Sequence, residues 1–155
     1  MQYDILTYSG DKYTVKPRLG LYSHEAFSKD ELPGIAIVLD DITEGEHKPM
    51  PYISLTANFD EFIGIKNCAY VDTNNSDLAD QLIKSGVAKD TGFYKESGSS
   101  VYPLLLFDEN FLKEIGTEKY EKYSQAYDEY MHDHYGGNDE IVDDEGEGEG
   151  ISQSM

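Results

Sequence analysis

His132-Asp133-His134 is the densest run of metal-ligating side chain types in this 155-residue chain. On a helix, positions two apart lie about 200° from each other, so the two imidazoles cannot grip one ion without local unwinding. Zinc sites on helices favour a spacing of four residues. His24 and His47 stand in segments that read as loops, and neither has a paired cysteine. The single cysteine, Cys68, has no histidine near it in sequence. It reads as a buried, inert thiol in a strand. No metal and no cofactor is expected.

A second cluster, Asp72-Thr73-Asn74-Asn75, lies between a predicted strand and a predicted helix. Two chemistries suit it. Asp72, Asn74 and Asn75 could cradle an anion or hold a catalytic carboxylate. Alternatively, Asp72 builds an Asx-turn and an asparagine caps the following helix. The acidic run 139–149 has the composition of a calcium loop but not its ordered spacing. Phosphate-loop, dinucleotide, nucleophile-elbow and H-E-x-x-H patterns do not occur. No catalytic residue emerges, and a non-enzymatic protein is expected.

Charge carries more information. Asp and Glu number 31 against 12 Lys and Arg, for a net charge of −19. The last basic residue is Lys122, and ten of the acids follow it. A surface this anionic repels DNA, RNA and anionic membrane, and attracts basic grooves. The lone cysteine fits a reducing cytoplasm. The N-terminus lacks a basic region followed by an apolar run, and no stretch reaches the roughly 18–20 apolar residues of a membrane span.

The elements that must position these residues form an α+β pattern. Tyr3–Tyr8 and Lys12–Lys16 read as a hairpin around Ser9-Gly10-Asp11. The second strand can continue through Leu19–Tyr22. Gly34–Leu39 is the most apolar run and reads as a central strand. Tyr52–Ala57 alternates, with Ile53, Leu55 and Ala57 on one face. Phe62–Val71 reads as a strand with a bulge at Gly64. A helix follows, capped by Asn74, Asn75 or Ser76, with Asp77 in its first turn. Leu78, Ala79, Leu82 and Ile83 form its apolar face, and Gly86 stops it. Gly92–Lys95 and Ser100–Phe107 read as a second hairpin around residues 96–99. Asp108 caps a short helix that Gly116 stops, and Thr117 caps a longer one reaching about His134.

The expected organisation is an antiparallel sheet of about six strands with one packed helix over residues 1–116. A C-terminal amphipathic helix follows over residues 117–135. Residues 136–155 form a disordered acidic tail, because they hold too little apolar surface to offset ordering. At 100° per residue, Tyr120, Tyr123, Tyr127 and Tyr130 fall within about 80° of each other. Glu118, Glu121, Asp128, Glu129 and Asp133 cluster on the opposite side. Two compatible readings follow. The tyrosines pack and the acids are a solvated face, or the acids imitate phosphates on a helix that the tyrosines hold in place.

Ala69-Tyr-Val-Asp-Thr-Asn-Asn75 is followed by Gly86, Thr91-Gly92, Ser97-Gly98, Tyr102-Pro103-Leu104 and Phe107-Asp108. In that order, these resemble an uncharacterised domain family from plasmids, integrative elements and phages. Gly34–Leu39 and Ile53–Asn58 are similar to its first half. The resemblance spans residues 34–112 and implies a fold and a mobile-element context, with no activity to carry over. Ser99-Ser100-Val101 stands where many members have a bulkier or Cys-containing step. The acidic stretch after Gly116 looks like an addition to the family pattern.

The expectation is therefore an inhibitor of a basic nucleic-acid-binding host protein, of antirestriction or anti-CRISPR type, acting by steric blockade. Its contact residues would be Glu118, Glu121, Asp128, Glu129 and Asp133, with Tyr123 and Tyr127 in support. A rival is an accessory protein that binds a protein partner through a Tyr-rich surface. A second rival is a small ligand-binding or enzymatic domain centred on Asp72, Asn74 and Asn75.

Overall fold

A computed structural model describes residues 1–21, 32–50 and 53–136. The chain runs β1 (Tyr3–Leu6), β2 (Lys12–Leu21), β3 (Ile35–Asp41), β4 (Thr56–Ala57), β5 (Cys68–Val71), α1 (Leu78–Lys84), β6 (Ala88–Ser97), β7 (Ser100–Phe107), α2 (Glu109–Gly116) and α3 (Glu118–Met131). A π-helical turn, His132–Gly136, continues α3. The architecture is α+β with every strand pair antiparallel. Two compact units are distinguished, Met1–Tyr123 and Ser124–Met155, and the division falls inside α3. The tail expected over 136–155 lies, beyond Gly136, outside the described residues.

The expected single sheet is two: β1-β2-β3 and β4-β5-β7-β6. One residue explains the split. Leu55 donates its N–H to Ile37 O at 2.8 Å in the first sheet. Its carbonyl accepts from Asp72 N, also at 2.8 Å, in the second. The strand expected over 52–57 therefore divides its ladder. Ser54 bridges to Val38, and only Thr56–Ala57 pair with β5. Ile53 and Leu55 are buried as the alternation predicts. Thr56 is buried as well and Ala57 is half-exposed, because Thr56 Oγ1 accepts from Ile37 N at 3.0 Å and holds the threonine inward.

β2 alternates cleanly, with Tyr13, Val15, Pro17 and Leu19 inward. Pro17 is tolerated although it cannot donate to a ladder. β1 pairs only up to Val15, so at Pro17 the strand has β3 alone as neighbour. The expected strand over 62–71 shrinks to Cys68–Val71. Residues 62–67 bend and turn instead, so Gly64 is not a bulge, and Asn67 enters the strand at φ 68°. Asparagine tolerates that left-handed conformation better than most residues.

α1 ends as predicted. Gly86, at φ 84°, donates to Ile83 O at 3.1 Å, and Val87 N reaches Leu82 O at 3.0 Å. This is a Schellman motif. Leu78, Ala79 and Leu82 are buried, but Ile83 is 37% exposed and falls outside the apolar face. The second hairpin is tighter and longer than predicted. Ser97 pairs with Ser100, which leaves Gly98-Ser99 as the turn. β6 extends back to Ala88 through a bulge between Asp90 and Tyr94, where Gly92 takes φ 88°. Thr91 Oγ1 donates to Leu104 O at 2.8 Å across the bulge.

More than one helix packs. Asp108 caps α2 by accepting from Phe111 N at 3.2 Å, and Phe111 and Leu112 are buried. Gly116 marks the end of α2 as predicted, and also sits where the helix touches β2. A Cβ there would collide with Leu19 Cδ2 and lie 2.9 Å from its Cβ. Leu19 is fully buried and cannot swing away. Gly116→Ala should therefore destabilise the protein by about 1–3 kcal/mol, the usual cost of overpacking a core. Urea unfolding checks this, and an unchanged midpoint would mean that α2 shifts freely off β2.

Candidate functional site

The Asp72 cluster is a structural turn in its hydrogen bonding. Asp72 Oδ1 accepts from Asn74 N at 2.7 Å, an Asx-turn, and Oδ2 accepts from the Asn75 amide. Asn74 Nδ2 donates to Ser100 Oγ at 3.0 Å, tying the turn to β7. Neither asparagine caps α1. Their side chains point back to Asp72 and across to Ser100, and Ser76 Oγ accepts from Leu78 N at a long 3.4 Å. Asp77 is the cap position rather than a first-turn residue, and its side chain makes no capping bond. It accepts from Leu6 N at 2.9 Å instead.

That last contact gives the turn its role. Thr7 bridges to Ser76, Tyr8 N donates to Asn75 O at 3.2 Å, and Asp77 N donates to Leu6 O at 3.2 Å. The segment 75–77 thereby covers the outer edge of β1, which would otherwise offer unpaired backbone groups. Among the described residues, one cavity opens beside Cys68, Tyr70 and Phe59 and another beside Lys16 and Arg18, both away from this turn. A third, beside Asp4 and Thr14, is lined in part by Leu6 and Asp77 themselves.

Glu118, Glu121, Asp128 and Glu129 on α3 and Asp133 in the π-helical turn are all exposed. Tyr120 and Tyr123 are each 3% exposed and Tyr127 is 6%. Tyr130 is only half-buried and stacks on His134, with ring centroids 3.9 Å apart. The sequence did not disclose what holds the start of α3. Tyr123 Oη accepts from Asn67 N at 2.8 Å, and Tyr120 Oη donates to Asn67 Oδ1 at 3.0 Å. Asn67 O accepts in turn from Phe107 N at 2.9 Å. One asparagine thus ties two tyrosines to the end of β7. A cue was present, since Lys66-Asn67 is turn-prone and the tyrosines lie three apart, but reading 62–71 as one strand hid it.

His132 and His134 lie in the π-helical turn, and His134 Nδ1 is 3.0 Å from Tyr130 O. Among the described residues, no group of three or more His, Cys, Asp or Glu is placed to hold a metal ion. Cys68 is buried, and burial pushes its thiol up to about 11, which keeps it protonated. No helix among the described residues is long and apolar enough to cross a membrane.

Two predictions follow from these bonds. Asp72→Ala should cost roughly 0.5–1.5 kcal/mol, because it removes the bonds that shape the turn while water serves the exposed Asn74 N–H and Asn75 amide. Asn75→Ala, which removes one bond, should cost less. An activity lost in a fully stable Asp72→Ala protein would overturn the structural role. Tyr123→Phe should cost about 1–2 kcal/mol by stranding Asn67 N–H. Tyr120→Phe should cost less, because the freed oxygen belongs to a half-exposed side chain. Denaturant unfolding of both variants checks the order.

Comparison with known families places the match at residues 26–127. This begins earlier and ends later than the 34–112 resemblance. The stretch after Gly116 is therefore not an addition to the family up to Tyr127, and Glu118, Glu121, Tyr120 and Tyr123 fall inside the matched region. Asp128, Glu129 and Asp133 fall beyond it. No curated protein and no solved structure matches the chain. By the match over residues 26–127, the chain belongs to the family described as Domain of unknown function (DUF4313).

Proposed function

We propose that this chain is a mobile-element inhibitor that occupies the basic groove of a host nucleic-acid-binding protein, without covalent chemistry. The antirestriction and anti-CRISPR classes fit a phage or plasmid origin, which rests on the V-D-T-N-N, T-G, S-G and Y-P-L resemblance. The target would be a cytoplasmic protein of the host cell. Nucleic acid and anionic membrane are excluded as direct partners by charge of the same sign.

The observation that carries this reading is the placement of acids along α3. Glu118 and Glu121 occupy its first turn, where the helix dipole favours them. Asp128 and Glu129 stand near its other end, where no basic residue occupies the last turn. The helical path runs on beyond them through His132–Gly136, so the end-of-helix dipole scarcely reaches them. With Glu118, Glu121 and Asp133 they form an exposed carboxylate face. That face is the reason to look for a cationic partner.

The Tyr-rich rival is weakened on this helix. Tyr123 and Tyr127 are buried, so neither offers its ring to a partner. Tyr123 supports the acids by anchoring the start of the helix to Asn67. The Asp72-centred rival loses ground for a different reason, since both carboxylate oxygens are engaged within the turn.

The test uses the full chain as bait in host lysate, eluted in salt steps, beside a variant with Glu118, Glu121, Asp128 and Glu129 changed to Lys. The expected partner binds nucleic acid, which competes with the chain for its basic groove, and it elutes early as salt rises. The four-Lys variant should slow association far more than it speeds dissociation, because steering is long-range. A partner without a basic surface, or a complex indifferent to salt and to the variant, would sink the proposal.

A further inference from the structure

The loop after β3 carries a histidine whose two ring nitrogens both face acceptors. His47 Nδ1 lies 2.9 Å from Gly45 O, and Nε2 lies 2.9 Å from Asp41 Oδ2. A neutral imidazole has one N–H and can serve one of these. Its other nitrogen would then present a lone pair to an oxygen. The geometry is therefore that of an imidazolium donating twice. The rest of the loop converges on the same carboxylate and on β2. Asp41 Oδ1 accepts from Thr43 N at 2.9 Å. Thr43 Oγ1 accepts from Thr14 N at 2.9 Å, and Ile42 N donates to Thr14 O at 2.9 Å. The His47 ring meets the buried Tyr13 ring edge-on, with centroids 6.0 Å apart.

We propose that His47 is a protonation-controlled latch: with both ring nitrogens protonated it closes the 42–48 loop onto β2 and β3, and loss of one proton releases that loop and uncovers Tyr13. The charged and titratable groups around the ring come from each neighbouring element. Asp41 comes from β3 and Tyr13 from β2. Asp11, in the β1–β2 turn, acts on Tyr13. Glu44, Glu46 and Lys48 flank the ring within the loop itself. Apart from Lys48 this surrounding is anionic or neutral, which favours the imidazolium.

The direction of titration agrees. The bond to Gly45 O, then the bond to Asp41, raises His47 above its ordinary value of about 6.5. Burial pushes the Asp41 carboxyl up, but the hydrogen bonds from Thr43 and His47 outweigh it and hold it down at about 2. The Asp41 partner thus stays ionised throughout the range in which His47 titrates. A raised histidine contributes to the closed loop fully below its open-loop value, and the contribution is lost as pH rises through the raised one. The latch is shut in mild acid and opens as pH rises through the raised value. It stands apart from the α3 acids and does not depend on the reading proposed for them.

The test is a pH titration of the full chain by NMR, with His47 assigned by its loss in His47→Gln. At acid pH both His47 ring nitrogens should be protonated, and the midpoint should lie above about 6.5. Through that midpoint the protection factor of the Thr43 amide should fall, and the Tyr13 ring signals should move with it. Linkage sets the size: each unit by which closure raises the midpoint means a fall in the closed-to-open ratio of about tenfold. Asp41→Asn should bring the midpoint down, and His47→Gln should leave Thr43 protection low at every pH. If either variant unfolds, the wild-type titration alone decides. A midpoint at or below about 6.5, or Thr43 protection that ignores His47 titration, would overturn the latch.

Discussion

The body of this protein turns on the backbone of Leu55. Its N–H belongs to one sheet and its carbonyl to the other, each through a 2.8 Å bond. A residue inside an ordinary strand shares its two groups among neighbours in one sheet. Here the chain changes sheet within a single residue, while its side chain stays fully buried. Thr56 secures the crossing, because its buried hydroxyl serves Ile37 N where the ladder breaks. The two sheets can then share inward side chains such as Val15, Ile37, Val71 and Leu105. A polar or bulky change at 55 or 56 would act on both sheets together, unlike a change in the exposed β6.

A second seam lies beyond β1. The chemistry-bearing types in the V-D-T-N-N turn drew attention as a site, and the structure gives them to the fold. Asp72 is close to the crossing, since its own N–H is the one that Leu55 O accepts. Its carboxylate shapes the turn that delivers Ser76 and Asp77 to the edge of β1. The turn thus covers an edge that could template unwanted pairing. That gives the motif a physical reason to be maintained without any ligand. β6, an outer strand of the second sheet, is defended differently, with a bulge and with Lys89 and Lys95 along it.

Much of this was legible because the signals are local. The hairpin around Gly10, the Gly86 stop, the Asp108 cap and the tyrosine stripe are properties of a few adjacent residues. What misled was non-local. Apolar content in 62–71 suggested a strand, but Asn67 is held at positive φ by bonds to Tyr120, Tyr123 and Phe107, the tyrosines lying more than fifty residues away. Asn75 looks like a cap in sequence, but its amide donates to Asp72 and holds the side chain back in the turn. One predicted sheet became two because the division of Leu55 between neighbours leaves no mark on its alternation pattern. Ile83 fits the apolar face by angle, yet α1 is only seven residues long and too short to bury its whole stripe.

The same distinction bears on the acids. Their exposure on α3 was legible from periodicity, and their meaning was not, because a solvated face and a phosphate-like face obey the same pattern. What differs among the acids is their place along the chain. Glu118 and Glu121 lie in the first turn, where the dipole favours them. Asp128, Glu129 and Asp133 fall beyond the matched family region, which ends at Tyr127. The tyrosines that anchor the helix to Asn67 lie inside that region. An anchor inside the matched region with acids placed after it agrees with the proposal that these acids meet a cationic surface. On that view, the affinity of the protein for its partner should be tuned at Asp128, Glu129 and Asp133, and its fold should be insensitive to the same positions.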